Sequence, residues 1–151
     1  MFKIVIPTLE RYELLKNTTL KYLNECNIDK TLIDIFVASA EEKEKYKTIC
    51  GDYNYIVGLK GKANISNFIV DYYNEGDKIF CFDDDIDGIA NVRLIDNKVD
   101  KRRIYYLKDF IIDCFTTCEK IGSKIFSVNG KTNDYWLGQS KRKLKKGIII
   151  T

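Results

Sequence analysis

The chain contains no histidine. That absence excludes a Ser-His-Asp triad, a histidine general base and histidine metal ligands. Proline occurs once, at Pro7, and tryptophan once, at Trp136. The five cysteines are Cys26, Cys50, Cys81, Cys114 and Cys118. Their number is odd and no Cys-x-x-Cys pair occurs, so neither a disulfide framework nor a zinc site is indicated. Cys81 lies in an apolar segment and reads as a small buried hydrophobe. Cys114 and Cys118, spaced i, i+4, read as one packing face of a helix. No stretch reaches the apolar length of a membrane span. No signal peptide is visible, because the apolar opening is short and stops at Pro7. The expected location is a reducing cytoplasm.

What is present is a globular composition. Of 151 residues, 45% are hydrophobic and 13% aromatic, enough for one folded domain over residues 1–151. The net charge of +3 hides local bias: Lys141-Arg142-Lys143-Leu144-Lys145-Lys146 holds five cations in six residues. A smaller basic run spans Lys98 to Arg103, around Asp100. Such runs are usually solvated edges. The functional alternatives are nucleic acid, an anionic membrane surface or a nucleotide diphosphate. No apolar helix face accompanies the terminal cluster, which weakens the membrane alternative.

Strand and helix patterns alternate at short spacing. Phe2-Lys3-Ile4-Val5-Ile6 reads as a buried strand stopped by Pro7. Arg11 to Glu25 reads as an amphipathic helix with Leu14, Leu15, Leu20, Tyr22 and Leu23 apolar. Leu32 to Val37 is a second strand, and Glu41 to Cys50 a charged surface helix. Tyr53 to Val57 is a third strand. Lys62 to Tyr73 is a helix with Ile65, Phe68, Ile69 and Tyr72 on its apolar face. Lys78 to Phe82 is the fourth strand. This order predicts a mainly parallel sheet with helices on both faces, its post-strand loops converging on one edge. Ile104 to Ile121 has helical periodicity closed by Gly122, and Lys124 to Val128 reads as a fifth strand. Asn129-Gly130 is a turn signal, and Gly147 to Thr151 reads as a last strand.

The fourth strand carries the strongest chemical signal. Lys78-Ile79-Phe80-Cys81-Phe82 runs directly into Asp83-Asp84-Asp85, followed by Ile86-Asp87-Gly88. Adjacent carboxylates repel one another, and packing gives no reason for three at a strand end. A hard divalent cation, Mg²⁺ or Mn²⁺, would resolve the conflict. The plainer reading is a solvated aspartate-rich turn.

Taken in order, these pieces resemble a GT-A nucleotide-sugar glycosyltransferase. The residues that carry the resemblance are Ile4-Val5-Ile6-Pro7-Thr8 with Arg11, then Gly61-Lys62-Ala63-Asn64-Ile65-Ser66-Asn67-Phe68, then Phe82-Asp83-Asp84-Asp85-Ile86. Within that superfamily the chain is most similar to the TET/JBP-associated glycosyltransferases of viruses and phages, linked to glycosylation of modified DNA bases. Family members often carry an arginine in the third-helix motif, where this chain has Asn64 and Asn67.

The resemblance implies an α/β, Rossmann-like, three-layer GT-A domain in minimal or truncated form, its acceptor half short or missing. It implies a nucleoside-diphosphate sugar as donor, a UDP-sugar first, with Mn²⁺ or Mg²⁺. Asp85 would be the direct metal ligand. Asp83 would serve the metal through water or hold the ribose, with Asp84 alongside. Pro7, Thr8, Glu10 and Arg11 would shape the nucleotide pocket, and Lys62 and Asn64 would approach the ribose or diphosphate. Asp134 is a general-base candidate by position, and Trp136 either stacks on a sugar or base or covers the sheet edge. The acceptor is open, a modified DNA base among the options, and dependence on an oligomer or partner chain is the alternative to a minimal or truncated form. A nucleotidyltransferase remains an alternative, although such enzymes usually carry a Gly-rich basic loop where this chain has Pro7-Thr8-Leu9-Glu10-Arg11. A non-catalytic nucleotide-sugar-binding module remains another.

Overall fold

The computed structural model describes residues 1–95 and 98–128. The chain divides into two compact units, Met1–Gly88 and Ile89–Thr151.

The first unit is built on a four-stranded sheet: β1 (Phe2–Pro7), β2 (Ile33–Val37), β3 (Asn54–Val57) and β4 (Lys78–Cys81). The spatial order is β3-β2-β1-β4. All three strand pairs are parallel, with Ile6 opposite Ile35, Ile35 opposite Tyr55, and Ile4 opposite Phe80. The expected parallel α/β architecture is therefore present, and each of the four strands expected in this unit falls within a residue or two of its position.

β1 and β2 are central, covered on both faces. β2 is buried at every position, and β1 at Phe2, Ile4, Val5 and Ile6. That is why these strands read as continuous apolar runs rather than as alternation. Helix α4 (Lys62–Tyr72) covers one face. There Val5, Phe36 and Ile69 form a buried cluster with Ile56, Ile65, Phe68, Tyr73 and Ile79 around it. Tyr72, expected on the buried face, is 48% exposed, with its ring still edge-on to Phe36 at 5.4 Å. On the opposite face lies helix α3 (Ala40–Cys50), whose Tyr46 ring is buried beside Tyr55. Strand residues alternate between faces, so Phe36 points to α4 and Ile35 away from it. The three layers follow.

The first helical run is irregular. It comprises α1 (Tyr12–Leu15), a π-helical turn (Lys16–Leu20) and α2 (Lys21–Glu25). Leu15, Leu20, Tyr22 and Leu23 are buried as expected, while Leu14 is 39% exposed. A π turn adds a residue to the ring and rotates the helix face, and such turns concentrate at functional sites.

Cys81 is exposed, not buried. It sits on β4, which among the described residues is an outer strand of the sheet. Burial in a strand pattern cannot be read without knowing which strand is the edge.

The second unit contains a hairpin of β5 (Ala90–Ile95) and β6 (Lys98–Arg103), antiparallel, with Ala90 opposite Arg103. The basic run at 98–103 is thus a strand. Helix α5 (Leu107–Ile121) follows. Leu107, Ile111, Cys114 and Cys118 form its buried face, so the two cysteines do share one packing face. Gly122 closes the helix in the left-handed conformation at φ 66°, as expected. Tyr105, within the expected helical span from Ile104, precedes the helix and is 56% exposed. Residues 124–128 form no strand: Ser123 holds Ile125 locally instead, and Phe126 packs edge-on against Phe115 at 5.1 Å. The turn at Asn129-Gly130, Asp134, Trp136, the cations of Lys141 to Lys146 and the expected last strand lie outside the described residues. Among the described residues, no helix is long and apolar enough to cross a membrane.

Candidate functional site

The sheet order places the candidate site. The order in which strands are added reverses at β1: β2 and β3 extend to one side and β4 to the other. In open parallel sheets, the crevice beyond the carboxyl ends of the strands at such a switch point is where ligands bind. The loop after β1 carries Thr8 to Arg11, and the loop after β4 carries Asp83 to Asp85. The two loops therefore meet there.

Burial alternates along the strand end: Phe80, Phe82 and Asp84 are buried, whereas Cys81, Asp83 and Asp85 are exposed. The strand ends at Cys81 and the chain turns at Asp84-Asp85, with Asp84 on the inside. One carboxylate of the triplet therefore points inward and two point out.

Both oxygens of the inward carboxylate are engaged. Thr8 Oγ1 donates to Asp84 Oδ2 at 2.8 Å. Arg11 Nη1 donates to Asp84 Oδ1 at 3.0 Å. The same Arg11 nitrogen lies 3.6 Å from Asp85 Oδ2. Charge repulsion in the triplet is thus relieved in part by a guanidinium, a partner supplied by the chain itself. Asp84 keeps the Arg11 guanidinium more firmly protonated, first through the hydrogen bond and then through its charge.

A buried tyrosine organises this clamp. Tyr46 Oη lies 2.7 Å from Thr8 Oγ1 and accepts from the Arg11 backbone N–H at 3.0 Å. The proton directions are determined. A carboxylate only accepts, so Thr8 donates to Asp84; the Thr8 oxygen then accepts from Tyr46; the Tyr46 oxygen accepts from Arg11 N–H. Burial raises the Tyr46 pKa, which keeps that donor proton in place. Between Thr8 and Arg11 the backbone turns through Glu10 at φ 55°, a left-handed conformation that non-glycine residues adopt at a cost.

Tyr46 is delivered by α3. Ser39 caps that helix by accepting from Glu42 N–H at 3.2 Å, and Glu42 reaches back to Ala38 N–H at 2.8 Å. This is a capping box reaching one residue upstream of its usual target. It buries Glu42 and, one turn later, Tyr46.

The π turn supplies the second clamp. Thr19 Oγ1 donates to Asp83 O at 2.8 Å, and Thr18 Oγ1, whose single proton is shared with Leu14 O at 2.5 Å, lies 3.0 Å from Asp84 O. Thr19 Oγ1 also accepts from Ile86 N–H at 2.9 Å. Consecutive threonines on a regular α-helix point about 100° apart, and here both reach one loop. The acidic loop is therefore fixed through its backbone as well as through Asp84.

The remaining expected residues lie as follows. Pro7 ends β1 opposite Phe36 and is half-buried. Glu10 is exposed at the loop's turn. Lys62 and Asn64 begin α4, beyond β3, at the opposite end of the strand order from β4. Asn64 Nδ2 turns back to Lys60 O at 3.0 Å. The structure thus brings Thr8, Arg11, Asp84 and Asp85 together, while Lys62 and Asn64 start from another strand.

Sequence reasoning missed Tyr46, Thr18 and Thr19. The threonines gave a weak signal, because a β-branched hydroxyl residue inside a helix commonly bonds back to the carbonyl four residues earlier, as Thr18 does to Leu14. Tyr46 had only the weak signal of a bulky aromatic in an otherwise charged helix.

A second buried carboxylate is Asp34 on β2, 2% exposed. Lys3 Nζ at 3.1 Å, Asn54 Nδ2 at 2.8 Å and Tyr73 Oη at 2.6 Å all donate to it. With that set of partners it ties β1, β2, β3 and the end of α4 together.

The donor set fits a divalent cation in one specific way. Among the described residues, no group of three or more carboxylate or cysteine side chains converges on a single point. Mg²⁺, however, is commonly held by one or two carboxylates, with substrate phosphates and water filling the other positions. Asp83 and Asp85, both exposed hard-oxygen donors, match that mode. No protein-family model, no curated protein and no solved structure matches the chain.

Proposed function

We propose that this chain binds a nucleoside-diphosphate sugar, a UDP-sugar first, and transfers the sugar with the help of Mn²⁺ or Mg²⁺. The observation that carries the reading is the convergence of Thr8, Arg11 and Asp84 at the β1/β4 switch point, with Asp83 and Asp85 left exposed beside them. The first-strand motif, the third-helix motif and the acidic strand end, in that order, are the features that resemble a GT-A enzyme.

Asp83 and Asp85 would hold the cation, which supplies Lewis-acid stabilisation of charge on a leaving diphosphate. Asp84, buried and bonded through both oxygens, would serve the site by holding Thr8 and Arg11 in place. Arg11 presents a half-exposed guanidinium suited to phosphate oxygens. Pro7, Thr8 and Glu10 shape the wall beside it, where a nucleoside would lie. The acceptor hydroxyl, on a modified DNA base in the reading the resemblance favours, requires a carboxylate base in an inverting reaction. Asp134 is the candidate for that role.

The experiment is incubation with a panel of UDP-sugars, with and without Mn²⁺, followed by product analysis. Metal-dependent release of UDP together with free or transferred sugar supports the reading. Release of pyrophosphate would point to nucleotidyl transfer. Tight binding without turnover would identify a nucleotide-sugar-binding module instead.

A further inference from the structure

We propose that Arg11 is an exchange group: it pairs with Asp85 and trades that carboxylate for a phosphate oxygen of an arriving diphosphate, releasing Asp85 for the cation. The inference rests on the diphosphate reading above and adds the order of events at that site.

Three observations carry it. First, the root of Arg11 is fixed, and its head is held by Asp84 through Nη1 while the rest of the side chain is open to solvent. The backbone N–H is held by the buried Tyr46 hydroxyl at 3.0 Å, and the side chain is 53% exposed. Second, the two carboxylates that Arg11 meets are unequal. Asp84 is 9% exposed and hydrogen-bonded at 3.0 Å; Asp85 is 52% exposed and 3.6 Å away. A loose, solvated ion pair contributes little, so that contact is the one that breaks. Third, a guanidinium has five N–H donors in a fixed fork, and Nη1 alone reaches both carboxylates. Donors remain for a phosphate while the contact with Asp84 persists.

The consequence is a coupling between two ligands. A cation that needs Asp85 must compete with Arg11, which repels it. A diphosphate that draws Arg11 away frees Asp85 and supplies the missing oxygen ligands. Cation and diphosphate should therefore bind cooperatively, each raising the affinity for the other by the same factor.

The test uses the full chain and inorganic pyrophosphate, measured by calorimetry with and without Mn²⁺. Asp85→Asn removes the competing charge, so metal-free pyrophosphate affinity should rise about two- to fivefold, the range of a weak exposed pair. With Mn²⁺ the same variant should bind more weakly than wild type, because a cation ligand is lost. Arg11→Gln should reduce metal-free affinity about tenfold or more, as expected for removal of a charge-assisted phosphate contact. It should also bind Mn²⁺ alone more tightly than wild type. The reversal of sign for Asp85→Asn between the two conditions is the signature, and a general loss of folding would not produce it. Equal or reduced metal-free affinity in Asp85→Asn overturns the proposal, as does wild-type affinity in Arg11→Gln or no saturable pyrophosphate binding by wild type. Failure of the nucleotide-sugar reading looks different: the pyrophosphate shifts persist, but UDP binds no better than pyrophosphate.

Discussion

Thr8 and Asp84, 76 residues apart in sequence, meet in a buried hydrogen bond of 2.8 Å that joins the end of β1 to the end of β4. That contact ties the two loops together at the switch point and sets the direction of the protons behind it. Asp84→Ala removes the acceptor for Thr8 and the tight partner of Arg11. The expected loss is about 1–3 kcal/mol of stability, the usual cost of stranding a buried polar group. Asp83→Asn and Asp85→Asn, at exposed positions, should stay within about 0.5 kcal/mol of wild type. Urea melts of the three variants measure this. A large loss for Asp85→Asn with none for Asp84→Ala would reverse the assignment of inner and outer carboxylates.

Tyr46→Phe keeps the ring that packs 4.4 Å from Tyr12 and removes only the hydroxyl. Arg11 N–H and Thr8 then each lose a partner. The expected cost is about 1–2 kcal/mol, with faster amide hydrogen exchange at Arg11 while the β1 amides stay protected. Unchanged exchange at Arg11 would contradict the clamp.

Buried phenols make the fold sensitive to alkali. Burial raises the Tyr55 pKa above the ordinary tyrosine range, and burial followed by the bond to Asp34 does the same for Tyr73. As pH passes about 10, the unfolded chain releases phenol protons that the folded chain keeps. The folded state then binds more protons, so stability falls with rising pH. The contribution is fully present below the unfolded pKa and disappears as pH climbs through the alkaline range. Tyr55→Phe should flatten this slope in denaturant melts across that range. An identical slope in wild type and variant would contradict it.

Gly58 is held by its lack of a side chain. A Cβ there would lie 2.5 Å from Ile65 Cδ1 and 3.1 Å from Phe68 Cδ1, both on α4. Gly58→Ala should push α4 away from β3 and cost about 1–3 kcal/mol, the range for overpacking. A thermal melt equal to wild type would show that Ile65 simply rotates away.

The parallel sheet was legible because its central strands are buried on both faces and so read as unbroken apolar runs. The acidic strand end was legible because carboxylates are rare at such a position. Two things were hidden. Edge position is a property of topology, so Cys81 on β4 looked like a core residue. Pairing across the sequence was hidden too: the strand order brought Thr8 and Arg11 to the triplet's edge of the sheet, but nothing near Asp84 announces that it pairs with both or that Tyr46 joins them, and the triplet alone looked as if it required a metal to balance it. The hairpin of β5 and β6 was missed for a different reason. Its second strand, Lys98-Val99-Asp100-Lys101-Arg102-Arg103, is mostly charged, and an apolar-pattern reading sees a solvated run.

The most direct measurement is UDP binding by calorimetry, with and without Mn²⁺, on the wild-type chain. The account predicts saturable binding that is about tenfold or more tighter with Mn²⁺, since the cation links phosphate to Asp83 and Asp85. No binding at millimolar UDP with Mn²⁺ present, or binding indifferent to the metal, would contradict it.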